Sequence, residues 1–303
     1  MPRFHIPFMK YRFVMLGVSA VLVVISLVAL GTAGLKFGID FQGGTVIDVP
    51  DAKDVTIEQM RTAFDDAGVP NAVIQTTVVQ GKRGFSIRTE VTTPDQATTD
   101  AREVATAVGL ESDAFQVTTI GPGWGKNVTN RAMLALGLSI FAILAYVTLR
   151  FDYKMSVTAV IALSHDILVT LGLYAIVGRE VTPNTIAALL TILGYSLYDT
   201  IVVFHRVKEN SANLRKNSFM QMANESINEV FVRSLNTTIT SLIPVVVMLF
   251  FGGETLKDFA FALTIGLGVG AYSSIGIASP LYAMWKEREP KFQALKKKYA
   301  EAS

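Results

Sequence analysis

Six predominantly apolar runs, at residues 13–33, 133–149, 157–177, 185–204, 230–251 and 259–282, leave this chain few places to fold. Each is long enough as a helix to cross the hydrocarbon layer of a bilayer. Half of the 303 residues are hydrophobic, 17% are charged and the mean hydropathy is +0.41, too apolar for an ordinary soluble domain. The expected fold class is therefore a polytopic α-helical membrane protein with six transmembrane helices.

The organisation follows from where polarity returns. Residues 1–34 hold a short basic N-terminus and the first span. A signal peptide is the alternative for this segment, but the run exceeds the usual hydrophobic region and no small-residue cleavage site follows it. Residues 35–130 turn polar and alternate strand and helix patterns: a strand at 45–49, a helix at 55–67 with Ile57, Met60 and Phe64 on one face, strands at 72–79 and 84–91 joined by a turn at Gly81, a helix at 94–108 and a strand at 115–120. The order β-α-β-β-α-β is that of an α+β ferredoxin-like domain. Asp40 and the pair Gly43–Gly44 lie where the first span ends, read as a turn before an edge strand. GPGWGKN at 121–127 lacks the spacing and the Ser or Thr of a phosphate loop and reads as a flexible linker into the membrane. Residues 131–285 hold spans two to six, and 286–303 form a basic tail.

Basic residues set the expected orientation. The N-terminus, the turn with Arg150 and Lys154, the loop from Arg206 to Lys216 and the tail hold fifteen Lys and Arg; the two short loops on the opposite side hold only Arg179 and Lys257. The positive-inside rule places both termini in the cytoplasm and the 35–130 domain outside.

The third and fourth spans carry acids, and an ionised acid at the bilayer centre costs roughly 3 kcal/mol on insertion scales. In the fourth, Thr191, Tyr195, Ser196, Asp199 and Thr200 fall on one helical face, so Asp199 is expected to face protein or water. The plainer alternative is a buried Asp that joins helices through hydrogen bonds. The third span carries His165 and Asp166 near mid-depth. Neighbouring helical positions diverge by about 100°, which points to Asp166 alone lining a polar path, with His165 as readily an imidazole bonded between helices. In the fifth span Arg233, Asn236, Thr237, Thr240 and Ser241 form a polar stripe, with Arg233 at a depth compatible with an ion pair to Asp199 or with snorkelling to the interface. Ala262, Gly266, Gly270 and Ser274 in the sixth span form a small-residue stripe suited to close helix packing, and Gly252–Glu254 reads as a tight outer turn.

The chain has no Cys and three dispersed His, which excludes disulfides, a thiolate metal site and a histidine cluster. No metal or other cofactor is expected, and no basic surface suggests nucleic acid.

FGIDFQGGT at 37–45, the HD pair at 165–166, GYSLYDTIVVFHRVKEN at 194–210, SINEVFVRSLNTT at 226–238 and FGGETLKDFAFALTIGLGVGAYSSIGIASPL at 251–281 together resemble, in order, the signature blocks of the SecF family of protein-export membrane proteins. That resemblance implies a complex with SecD of twelve spans with pseudo-two-fold symmetry, in the resistance-nodulation-division superfamily. It implies a prokaryotic plasma-membrane protein, not an enzyme, that uses the proton motive force to assist preproteins leaving the SecYEG channel. By position Asp199 matches the family's intramembrane carboxylate, Arg233 its arginine and Asp166 a further polar position, with His165, Ser196, Tyr198, Asn236 and Thr237 as supporting groups. The family often has Asn where Tyr198 stands and Asp where His205 stands. Two other classes are compatible with parts of this pattern: a stand-alone small-molecule exporter of the same superfamily, for which the external domain is small, and an intramembrane aspartyl protease using Asp166 and Asp199, which lacks the expected GxGD setting of the second acid.

Overall fold

A computed structural model describes residues 5–299 apart from 53, 71, 80, 81, 92, 112–114, 213, 215, 216 and 253. The proposed turn at Gly81 and the middle of the outer turn at 252–254 lie outside these residues. The chain divides into two compact units, residues 37–133 and the remainder.

In the smaller unit a short helix α2 (Ile39–Gln42) leads into strand β1 (Gly44–Val49), followed by α3 (Ile57–Asp66), β2 (Val73–Val79), β3 (Lys82–Thr89), α4 (Pro94–Ala107) and β4 (Gln116–Ile120). The predicted alternation is thus present. The sheet order is β2-β3-β1-β4 with every pairing antiparallel. β1 is consequently central, flanked by β3 and β4, and the edge strand expected after the glycine pair is corrected. Gly43 and Gly44 have φ of 80° and 124°, and a Cβ on Gly44 would lie 2.7 Å from the Thr89 carbonyl oxygen. Only glycine lets the chain enter a central strand there.

Helix α3 starts at a reciprocal cap, Thr56 and Gln59 each bonding the other's backbone N–H. Met60 and Phe64 on its inner face are fully buried with Ile47, Phe85, Ile87 and Val104, and Ile57 packs at the edge. Each such large apolar side chain contributes about 1.5–3 kcal/mol of burial.

The other unit is built from α1 (Arg12–Thr32), α5 (Pro122–Arg150, whose first turns belong to the smaller unit), α6 (Tyr153–Val177), α7 (Pro183–Ala212), α8 (Phe219–Phe251) and a sixth span made of α9 (Glu254–Ser273), a π-helical turn at Ser274–Ala278 and α10 (Ser279–Glu287). Six of its segments are long and apolar enough to cross a membrane, so this is a multi-pass membrane protein. The glycine-rich stretch at 121–127 is helical from Pro122 rather than a linker, because proline suits a first helical turn and the Gly121 carbonyl already accepts from Trp124 N–H at 3.0 Å.

α6, α7 and α9 form the buried centre, while α1, α5 and α8 keep broad apolar faces exposed. The small-residue stripe of α9 packs as expected: a Cβ on Gly266 would run into Ile192, and one on Gly270 would lie 2.9 Å from Ser196 Cβ. The π turn explains itself locally. Pro280 has no N–H for the Gly276 carbonyl, so the helix widens by one residue, and Ser279 Oγ donates to the Ser274 carbonyl at 2.7 Å.

Two further ties close the end of the unit where α1 begins. Residues 5–11 form a strap on α8: Asn228 bonds both backbone groups of Ile6, and Asn224 Oδ1 accepts from Met9 N–H at 3.1 Å. Phe8 then packs on Phe231, ring centroids 5.2 Å apart. Lys154, buried at the start of α6, donates to Glu289 at 2.7 Å, while Lys286 bridges Asp152 and Glu289 at 2.6 and 2.9 Å. The helix α11 (Pro290–Tyr299) follows.

Candidate functional site

Asp166 is the most enclosed acid in the bundle, with no exposed surface. Its Oδ2 accepts from Ser196 Oγ of α7 at 2.6 Å and from Ser273 Oγ of α9 at 2.8 Å, and its Oδ1 lies 3.1 Å from His165 Nδ1. Three spans therefore meet on one carboxylate. Divergent side chains at 165 and 166 cannot share a distant partner, but they do reach each other, and the imidazole turns back onto the acid. With Asp166 ionised, Nδ1 carries the proton and donates. His165 Nε2 is buried with no hydrogen-bond partner among the described residues. Ser273 is not marked by the sequence pattern; its one signal is its place on α9 one turn after the stripe residue Gly270.

A chain of hydroxyls continues from there. Thr200 and Ser274 are 2.9 Å apart, and Ser274 Oγ donates to the carbonyls of Gly270 and Ser196. Ser274 thus does more than permit close packing.

Asp199, one turn beyond Ser196 on α7, is also buried, next to Ser234 and Thr238 of α8; Thr238 Oγ1 donates to the Ser234 carbonyl at 3.0 Å, and Ser234 Oγ has no hydrogen-bond partner among the described residues. Among the described residues the two acids have no hydrogen-bond partner in common. The predicted polar face of α7 divides: Ser196, Asp199 and Thr200 are buried, whereas Thr191 and Tyr195 are exposed, Tyr195 sharing a 2.7 Å bond with Ser241. A five-residue arc is wider than one helix neighbour can cover, so its flank opens outward.

α8 shows the converse. Ser234 and Thr238, outside the stripe expected from the sequence, are buried on the side of α8 next to Asp199; Arg233, Asn236 and Thr240 are exposed, and Thr237 and Ser241 partly so. No ion pair joins Arg233 to Asp199. The guanidinium instead donates to the Tyr198 hydroxyl at 3.3 Å, since Arg233 and Ser234 sit about 100° apart on the helix and only one can face the acid. His205 is exposed at the far end of α7. Among the described residues no group of three His, Cys, Asp or Glu could hold a metal.

A family model described as the C-terminal part of the protein export membrane proteins SecD and SecF matches residues 100–288, and one for the SecD/SecF GG motif matches residues 28–50, around Gly43 and Gly44. The protein translocase subunit SecF of Streptomyces coelicolor is 38% identical over 299 residues, covering 96% of this chain and 79% of that protein. That of Desulfurispirillum indicum is 37% identical, covering 97% of each. The crystal structure of SecDF, a translocon-associated membrane protein from Thermus thermophilus, superposes with a TM-score of 0.84 at 32% identity, over 94% of this chain and 39% of that one. This chain thus spans about two-fifths of that fused protein. Matched over more than half its length by the family model and over nearly all of it by these relatives, the chain belongs to the SecD/SecF family of protein-export membrane proteins.

Proposed function

We propose that this chain acts as the SecF subunit of the Sec accessory complex, pairing with SecD and using the proton motive force to help preproteins leave the SecYEG channel. The observation that carries this reading is a buried acid, Asp199, lying just inside a polar stripe led by Arg233 that the chain by itself leaves exposed at membrane depth. Polar groups there must meet protein or water. A second six-span half supplies both, and the Thermus thermophilus relative, in which the matching region is about two-fifths of a single SecDF chain, favours SecD as that half.

In this reading Asp199 takes up and releases a proton, and Arg233 swings from Tyr198 toward the acid to hold it ionised in one state. The Ser234 and Thr238 hydroxyls turn to the acid when it is ionised, and Ser196, one turn earlier on α7, bonds Asp166, so protonation of Asp199 can shift hydrogen bonding at Asp166. Asn236 and Thr237 line the partner side of the path. One proton crossing 100 mV is worth about 2.3 kcal/mol, enough to bias a two-state movement. The sheet order β2-β3-β1-β4 supports a ferredoxin-like identity for residues 37–133, and the basic loops support an external position for it, with both termini cytoplasmic in the prokaryotic plasma membrane.

The test is export of a secreted preprotein in cells whose only copy carries Asp199→Asn, with SecD co-purification measured in the same strain. The proposal expects normal assembly with reduced export that no longer responds to collapsing the gradient. Unchanged export and gradient dependence would make Asp199 a purely structural hydrogen-bonding group.

A further inference from the structure

We infer that the chain holds one anionic phospholipid in a basic cavity at the end of the bundle where its termini lie. The cavity is about 700 Å³ and sits between Arg12, the first residue of α1, and Glu287, the last of α10, so its mouth is at headgroup depth. Arg12, Arg288, Lys296 and Lys297 line it against a single acid, Glu287. Glu287 Oε2 accepts from Lys296 at 2.9 Å, and by charge the four cations of the lining exceed its one acid by three.

Arg12 adds charge from behind the wall: its Nη1 donates to the Met9 carbonyl at 2.7 Å, and its Nε, like Glu287 Oε1, is buried without a hydrogen-bond partner among the described residues, so neither atom meets the open cavity. Arg288 and Lys297 supply further charge from the exposed rim. A soluble anion would need only these groups. Apart from Gln293 the rest of the wall is apolar, from Met220, Met284 and Phe13, and the exposed Val14 and Val18 of α1 follow it, where acyl chains would lie. A phosphodiester headgroup with one net negative charge and two acyl chains fits both halves; a neutral headgroup fits only the apolar one.

Purified full-length protein, delipidated in micelles and offered equal phosphatidylglycerol and phosphatidylcholine, would be scored by native mass spectrometry for retained lipid. Phosphatidylglycerol should be retained about tenfold over phosphatidylcholine, and Arg288→Gln with Lys297→Gln should abolish that preference. Both side chains are exposed, and a thermal melt checks that the variant folds. Arg150→Gln with Lys208→Gln removes the same charge at the same end outside the cavity and should leave retention unchanged. The inference fails if the unaltered protein shows no preference, or if both variants lose it equally. It also fails if excess inorganic phosphate displaces the lipid, which would mark a site for free anions.

Discussion

Gly270 offers the sharpest test of how the buried centre is packed. Replacing it with Ala puts a methyl carbon 2.9 Å from Ser196 Cβ and 3.2 Å from Ser196 Oγ, with Asp166 Oδ2 at 3.5 Å. Carbon atoms in contact prefer about 3.5–4.0 Å, so α7 and α9 must part by roughly 0.6–1 Å. Overpacking of that size costs about 1–3 kcal/mol. Two residues earlier, Gly268 has nothing within 4 Å of its virtual Cβ. Gly268→Ala and Gly270→Ala both gain about 1 kcal/mol of helix propensity, so their difference isolates the clash. Unfolding of the purified chain by detergent titration, followed by helical circular dichroism, should place Gly270→Ala about 1–3 kcal/mol below Gly268→Ala. Adding Ser196→Gly should restore room and give a favourable coupling of at least about 1 kcal/mol with Gly270→Ala, even though Ser196→Gly alone loses the bond to Asp166. If the two alanine variants differ by less than about 0.5 kcal/mol, the close approach of α7 and α9 at this level is wrong.

Gly44→Ala forces a side chain into a left-handed conformation against the Thr89 carbonyl, a cost of at least about 2 kcal/mol; amide exchange across β1 and β3 should speed up on the order of 30-fold, and unchanged exchange would show that β1 tolerates the clash. Asn228→Ala removes both bonds to Ile6, so the Ile6 amide should exchange faster by about 1–2 kcal/mol of lost protection while the spans stay put. Acid should loosen the tie between α6 and α10. Burial works to raise the carboxyls of Asp152 and Glu289, but hydrogen bonds and charge from Lys286 and Lys154 outweigh it and hold both below their ordinary values. Their contribution is therefore complete above the usual carboxylate range and lost as pH falls through the lowered values, below about 4. Trp285, edge-on to Tyr153 at 5.8 Å, should report this by fluorescence, and Lys286→Met should remove the transition; a change centred above pH 5 would assign it elsewhere.

Much of the architecture could be read from composition and period, because both act locally. A twenty-residue apolar run has one stable home whatever its neighbours, and Met60 and Phe64 at helical spacing bury together in any fold that includes α3. Asp199 and Asp166 stood out for a similar reason, since an acid in an apolar run is costly in any arrangement. The Gly43–Gly44 pair announced an unusual backbone, but not that it opens a central strand, which depends on β3 and β4 arriving from far along the chain.

What each polar side chain faces was settled only by packing. On α8 the sequence offers Arg233, Ser234, Asn236, Thr237 and Thr238 in near succession, and the tertiary structure turns Ser234 and Thr238 inward while leaving Arg233 outside. A helical pattern gives relative angles and carries no absolute rotation; that is fixed by which neighbour sits where. The same holds for Ser273, which meets Asp166 from 107 residues away, and for the strap of residues 5–11, held on α8 by two asparagines. The amino-acid order by itself determined six spans, one α+β domain and the acids that need a reason to be buried, since those follow from transfer energies summed over neighbours in the chain. Only the tertiary structure decided which neighbours the two acids meet, Ser196 and Ser273 for Asp166 and α8 for Asp199, because that choice rests on contacts between spans brought together by folding.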